Sequence, residues 1–244
     1  MRRALTAGVL LAIAAPYGAA AQQVSPALRF RIRAWPDAAI IGSSLAAALV
    51  PLVFSSSFAH ATCAPCDPAS LWWIDRGTVG PVRATADAFS TGTLATEVAL
   101  GAVFLASSRK GQGTAAFFED ATVITQAMTV TAAATEWAKV LFHRPRPYLY
   151  LPGAGAPGAD DVRSMPSSHT SVAFAAAAAY ASILHRRGIA KSHAAQIGVL
   201  LGAGTLTGAL RVVAHKHFPT DVVAGAALGF AIGWILPAAH ATAP

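Results

Sequence analysis

A chain of 244 residues has room for one sizeable domain, two at most. Its hydrophobic fraction is 55% and its charged fraction 12%, about half the quarter usual in soluble domains, which turns attention to closely packed or membrane-embedded helices. The net charge of +7 comes from scattered basic residues, with no Lys/Arg block and no interleaved aromatic platform, so nucleic acid is excluded as an expected partner.

In chain order, Arg2 and Arg3 open a basic start, Leu5 to Pro16 form a short apolar region, and Ala19-Ala20-Ala21 precede Gln22. That order reads as an export signal over residues 1–21, with an uncleaved membrane anchor as the alternative; residues 22–244 then form one helical domain. Ala38–Phe58 is the first expected helix, uncharged and long enough to cross a bilayer. Cys63 and Cys66, the only cysteines, follow in "HATCAPCDP". In an exported chain a short-loop disulfide is expected, because zinc would need more ligands than these two and His60. No βαβ pattern surrounds the pair, so a thioredoxin-like role has no support.

Five further helices are expected at Ala84–Ser107, Thr114–Phe142, Thr170–Leu184, Ala194–Val213 and Thr220–Ala239. The expected fold is therefore all-α, a bundle of about six helices embedded in a membrane, with a compact soluble helical domain as the alternative. "LPGAGAPGADD" at 151–161 is the one flexible segment.

Three clusters at helix junctions carry chemistry. In "KVLFHRPRP", Lys139 and Arg146 are seven residues apart, nearly two helical turns, so a helix continuing that far would bring both cations to one face. Pro145 and Pro147 must end the helix nearby, which makes that geometry approximate; Arg144 falls off that face and reads as a contact to solvent or lipid headgroups. In "RSMPSSHTS", Ser167, Ser168 and His169 open an apolar helix. Ser167 or Ser168 is a natural cap there, and free backbone N–H groups with the positive dipole end suit an anion. In "LRVVAHKHFPTDVVAG", Arg211 ends one helix, and His217 lies four residues before Asp221, so the carboxylate can hold one ring nitrogen and leave the other free. His215 competes for that role but lacks a carboxylate at the same spacing. Three cations, two histidines and one carboxylate make the inventory of a phosphate pocket with a histidine nucleophile. No Gly-x4-Gly-Lys motif is present, so a P-loop nucleotide enzyme has no support.

The combined pattern, Lys139-x6-Arg146-Pro147, then Pro166-Ser167-x-His169, then Arg211-x5-His217-x3-Asp221, resembles the type 2 phosphatidic acid phosphatase superfamily. That superfamily also includes vanadium-dependent haloperoxidases and soluble class A acid phosphatases. The match spans about a third of the chain, from Lys139 to Gly225. Ser168 stands where the family usually has glycine, and Leu210 where it usually has serine. The resemblance implies that His217 attacks phosphorus, that Asp221 orients it, and that His169 protonates the leaving oxygen and then activates water. It implies that Lys139, Arg146, Ser167, the backbone at Ser168, and Arg211 hold the phosphate oxygens, with no metal or cofactor. The implied substrate is a phosphorylated lipid: phosphatidic acid, phosphatidylglycerol phosphate, a polyprenyl pyrophosphate or a lipid A phosphate. The other readings are a phospholipid-binding or transporting membrane protein with a degenerate pocket, and a haloperoxidase.

Arg109, Lys110, Arg186, Arg187 and Lys191 fill two short connections that should be cytoplasmic, which puts the three motifs at the periplasmic face of an inner membrane. A soluble periplasmic protein is the alternative. A cleaved signal and a fully spanning Ala38–Phe58 are incompatible with that placement, so either Ala38–Phe58 stops short or the first 36 residues stay inside.

Overall fold

The long uncharged runs leave the backbone no partner but itself, and they fold as helices. The computed structural model describes residues 30–58 and 63–241, and among these six long helices alternate in direction: α1 (Ala34–Val53), α4 (Ala84–Ser108), α5 (Thr114–Phe142), α6 (Ser168–Arg186), α7 (Ala194–Val213) and α8 (Pro219–His240). Two short helices, α2 (Ser55–Phe58) and α3 (Trp73–Arg76), lie between α1 and α4. No strand forms among the described residues, only one antiparallel bridge between Phe30 and Ala241. The expected all-α bundle is what is found. The expected signal over residues 1–21 lies outside the described residues.

Each expected helix is present: α5 and α7 have the expected bounds, α4, α6 and α8 differ by one or two residues at an end, and α1 differs most. α1 starts four residues earlier than expected, because the Asp37 carboxylate accepts from the Arg33 N–H at 2.5 Å and tucks the first turn together. It runs through Pro51 before ending at Val53. Four helices, α1, α4, α8 and the stretch Lys191–Val213 containing α7, are long and apolar enough to cross a membrane, and most of their residues face outwards. Leu45, Leu49, Val103, Leu206, Val223 and Ile235 are among the apolar side chains left exposed. This is a membrane protein, not a soluble helical domain.

α6 is the hub, touching α4, α5, α7 and α8. Its run of alanines, with Ala173, Ala175, Ala177, Ala178 and Ala179 fully buried, admits neighbours closely. α8 answers with Gly225, Gly229 and Gly233, one per turn. A Cβ at Gly229 would sit 1.9 Å from the Ser171 carbonyl oxygen, and one at Gly233 2.4 Å from that of Ala175, so the two backbones touch. This contact fixes the starts of α6 and α8 side by side.

At one end of the bundle lie the end of α1, the start of α4, the end of α5, the start of α6, the end of α7 and the start of α8. At the other end, Asp120 of α5 is buried between Arg109 (2.7 Å) and Arg187 (2.6 Å). There too Gln126 donates to Asp37 at 2.9 Å and pairs with His240 at 2.7 Å, which ties α1, α5 and α8 together.

Candidate active site

The end of α5 supplies the first cation. Lys139 is buried, and its ammonium donates to Glu136 at 2.9 Å. The helix stops at Phe142, with His143 in a left-handed conformation (φ 46°), so Arg146 is reached by the following loop and not by a continued helical face. Lys139 and Arg146 still come within electrostatic reach of each other. The Arg146 guanidinium is fixed on three sides, by the Asp160 carbonyl (2.9 Å), the Asp160 carboxylate (2.8 Å) and the Lys216 carbonyl (3.0 Å). Burial works to raise the pKa of Asp160, but Arg146 and Lys139 hold it below the usual carboxylate value.

Arg144 corrects the sequence reading. It is no headgroup contact: Nη1 donates to Asp221 at 2.5 Å and to the Thr220 hydroxyl at 2.6 Å, and Nη2 donates to Asp75 at 2.7 Å. Its guanidinium also lies 4.4 Å from the centre of the Phe218 ring. The turn at His143 redirects the chain, so a helical-wheel assignment fails from that residue on.

At the start of α6, Ser167 takes the cap position but makes no side-chain capping bond; its oxygen accepts from Thr170 at 3.0 Å instead. The hydroxyl of Ser168 is committed to Glu136 at 2.6 Å, which leaves its backbone N–H for an anion. His169 pairs through Nε2 with Thr91 of α4 at 3.2 Å. From α7, Arg211 reaches Asp87 and, at 3.2 Å, the Ser90 hydroxyl, so a hydroxyl beside this arginine comes from α4 although Leu210 replaces the family serine. The charges of Lys139, Arg146 and Arg211 all act on His169, and those of Arg146 and Arg211 on His217.

His217 is fully buried just before α8. Its Nδ1 lies 2.7 Å from the Ser164 carbonyl oxygen and 3.7 Å from the Asp221 carboxylate. A carbonyl oxygen only accepts, so Nδ1 carries the hydrogen and Nε2 keeps its lone pair. A backbone carbonyl thus holds the ring nitrogen at the shorter distance, with the Asp221 carboxylate close beside it. Burial pushes the His217 pKa down to about 3, with Asp221 opposing and Arg146 and Arg211 reinforcing. His215, the competitor, turns away to the Pro81 carbonyl at 2.7 Å.

Sequence reasoning missed Glu136, Asp75, Asp87, Asp160, Arg163 and Ser164. Glu136 is buried in an otherwise apolar helix, where a carboxylate signals a partner; it holds Lys139, Ser168 and Arg163, the last at 2.5 Å. The expected disulfide is present between Cys63 and Cys66, and the Cys66 N–H donates to the Leu149 carbonyl beside the site. No group of three or more His, Cys, Asp or Glu side chains suited to a metal occurs among the described residues.

The family model for the PAP2 superfamily matches residues 120–243, just over half the chain and all of the assembled motifs. The chain belongs to the PAP2 superfamily. It is also similar to a crystal structure described as the first transmembrane PAP2 type phosphatidylglycerolphosphate phosphatase from Bacillus subtilis. The identity there is 18% and the TM-score 0.46, over 84% of this chain and 95% of that one. No curated protein matches the chain. With family membership in hand, this PAP2 protein is a phosphatase of the membrane in the general sense.

Proposed function

We propose that this PAP2 protein is a metal-independent lipid phosphatase that works through a phosphohistidine on His217. The observation that carries the reading is the His217 ring itself: Nδ1–H is held by an acceptor-only carbonyl, and burial keeps the ring neutral, so Nε2 offers a lone pair at any pH above about 3. That nitrogen attacks phosphorus and the ester P–O bond breaks. With substrate bound, the negative charge of the phosphate draws a proton onto His169, which donates it to the leaving alkoxide and then takes one from the water that releases phosphate. Lys139, Arg146, Arg211 and the N–H groups at the start of α6 neutralise charge on the equatorial oxygens.

The test is rapid quenching with a phosphorus-labelled lipid phosphomonoester. An acid-labile, base-stable phosphoprotein should form within one turnover and vanish in His217→Ala. A His217→Ala protein that releases phosphate near the normal rate refutes the mechanism.

We also place the site at the periplasmic face. α1 is one continuous helix running alongside α5, with Ala47 accepting from the Trp137 indole at 3.0 Å, so its start lies at the end of the bundle opposite the site. Of the two arrangements open to the N-terminus, this favours the one in which the first residues stay inside. A cysteine placed at the exposed Gly155 should react with a membrane-impermeant thiol reagent in cells with a permeabilised outer envelope. Labelling only after the inner membrane is broken overturns the placement.

A further inference from the structure

We infer that Ser164, Arg144 and Asp75 are positioning residues for His217, holding the ring and the Asp221 carboxylate in place together. The inference rests on reading His217 as the nucleophile. None of the three belongs to the residue pattern that carries the family resemblance.

Ser164 meets three partners at once. Its N–H donates to the Arg144 carbonyl at 2.9 Å, its hydroxyl to Asp221 Oδ2 at 2.5 Å, and its carbonyl accepts from His217 Nδ1 at 2.7 Å. The same residue therefore grips both the carboxylate and the imidazole, which are 3.7 Å apart. The rest of Asp221 is engaged as well: the Phe218 N–H donates to Oδ2 at 2.9 Å and Arg144 to Oδ1 at 2.5 Å.

Arg144 is itself shared. Its other nitrogen goes to Asp75, which is fully buried and accepts from the Thr220 N–H (3.2 Å) and hydroxyl (2.7 Å). Asp75 thus fastens the first turn of α8 from α3, a short helix 145 positions away in sequence. A guanidinium forked between two carboxylates fixes both, and a lysine in its place could not.

The charge order gives the test its sign. One positive charge sits between two negative ones. Without Arg144, the Asp221 charge acts unopposed on Nδ1, and His217 takes up a proton more readily. Without the Asp75 charge, Arg144 acts wholly on Asp221, and His217 takes up a proton less readily. The other charges facing the ring, Arg146 from the loop after α5 and Arg211 from α7, stay in place in both variants. Residues that served packing alone would lower activity without moving the ring's protonation in opposite senses.

The experiment uses the full chain in detergent micelles with nitrogen-labelled histidine, the His217 signals being assigned by their loss in His217→Gln. Turnover of a lipid phosphomonoester is measured alongside. Arg144→Gln should raise the His217 protonation midpoint by a pH unit or more. Asp75→Asn should keep the ring neutral to a pH at least as low as in the wild type. Both, and Ser164→Ala, should cut kcat by about 10- to 100-fold, the scale seen when the groups that orient a functional histidine are removed. Should Arg144→Gln not fold, Arg144→Lys keeps the charge without the fork, and it should lower kcat with a smaller midpoint shift. An unmoved midpoint and an unchanged Nδ1–H tautomer in the arginine variants overturn the inference. Normal turnover by His217→Ala alongside the shifts sinks the nucleophile reading and leaves the positioning chain standing.

Discussion

The closeness of α6 and α8 makes Gly229→Ala a sharp probe of how packing reaches the chemistry. The added Cβ would lie 1.9 Å from the Ser171 carbonyl oxygen and 2.8 Å from its carbon, whereas Cβ atoms essentially never approach below 3.0 Å. The obstacle is backbone, so no side-chain rotation relieves it, and the helices must part by about 1 Å. Overpacking of this kind costs about 1–3 kcal/mol. The functional cost is larger in kind. α6 begins with Ser168 and His169, α8 carries Asp221 in its first turn, and the Ser167 N–H reaches across to the Asp221 carbonyl at 3.0 Å. A displacement near 1 Å between groups that must meet one phosphate costs roughly 100-fold in rate. Gly202→Ala on α7 is the control, since nothing lies within 4 Å of its Cβ. Thermal unfolding followed by tryptophan fluorescence in detergent, together with kcat on a lipid phosphomonoester, should show both losses in Gly229→Ala and neither in Gly202→Ala. Wild-type unfolding temperature and kcat in Gly229→Ala would refute the account of the interface.

Replacing His217 by Ala should abolish turnover, His169→Ala should slow poor leaving groups most, and Asp221→Asn should fall between, still orders of magnitude down; steady-state rates across esters of graded leaving-group pKa read all three. Chelators should leave activity intact in the same assay, and a clear loss would point to a required metal. Breaking the Cys63–Cys66 bond by Cys63→Ser with Cys66→Ser should cost about 2 kcal/mol, the loop-closure value for so short a ring, read from the unfolding midpoint. Acid should destabilise the protein through His217. The folded ring titrates near pH 3 and the unfolded one near 6.5, so stability is complete above 6.5 and falls as the pH drops toward 3, by roughly 2 kcal/mol at pH 5. His217→Gln should flatten that decline, and an unchanged decline counts against a buried neutral ring.

Much of this was legible in the sequence, for identifiable reasons. Long apolar runs specify helices directly, and their ends are legible to within two residues except in α1, whose first turn is extended by the Asp37 carboxylate accepting from Arg33. The motif residues Lys139, Arg146, His169, Arg211 and His217 stand out through their joint order and spacing at helix junctions, since any one cluster alone is ordinary at a helix end. What stayed hidden depends on the turn at His143 or on contacts distant in sequence. Arg144 was assigned outward because a helix was extended past a residue that breaks it. Asp75 lies in a segment with no helical period, and its partners are 69 and 145 positions away. Ser164 gives no signal in the sequence, since its carbonyl is one that every residue has and the partner of its hydroxyl, Asp221, is 57 positions away.

The missing carboxylates also answer a physical difficulty that the motif alone creates. A cluster of cations buried at a membrane end, with no phosphate present, is costly. Here each has a resident counter-charge: Lys139 and Arg163 share Glu136, Arg146 has Asp160, Arg211 has Asp87, and Arg144 lies between Asp75 and Asp221. The pairs do more than neutralise. A guanidinium has five donors, and a partner that occupies one or two of them fixes the plane while leaving the rest. The buried Nε of Arg211 makes no hydrogen bond among the described residues, although the other end of the group is held by Asp87 and Ser90. The counter-charges differ in how firmly they stay. Glu136 is buried and triply engaged, whereas Asp160 is mostly exposed and able to swing out toward water. A phosphate entering such a site meets donors already aimed, one side of the cluster locked and the other free to yield, which is the preorganisation that phosphoryl transfer asks of a protein.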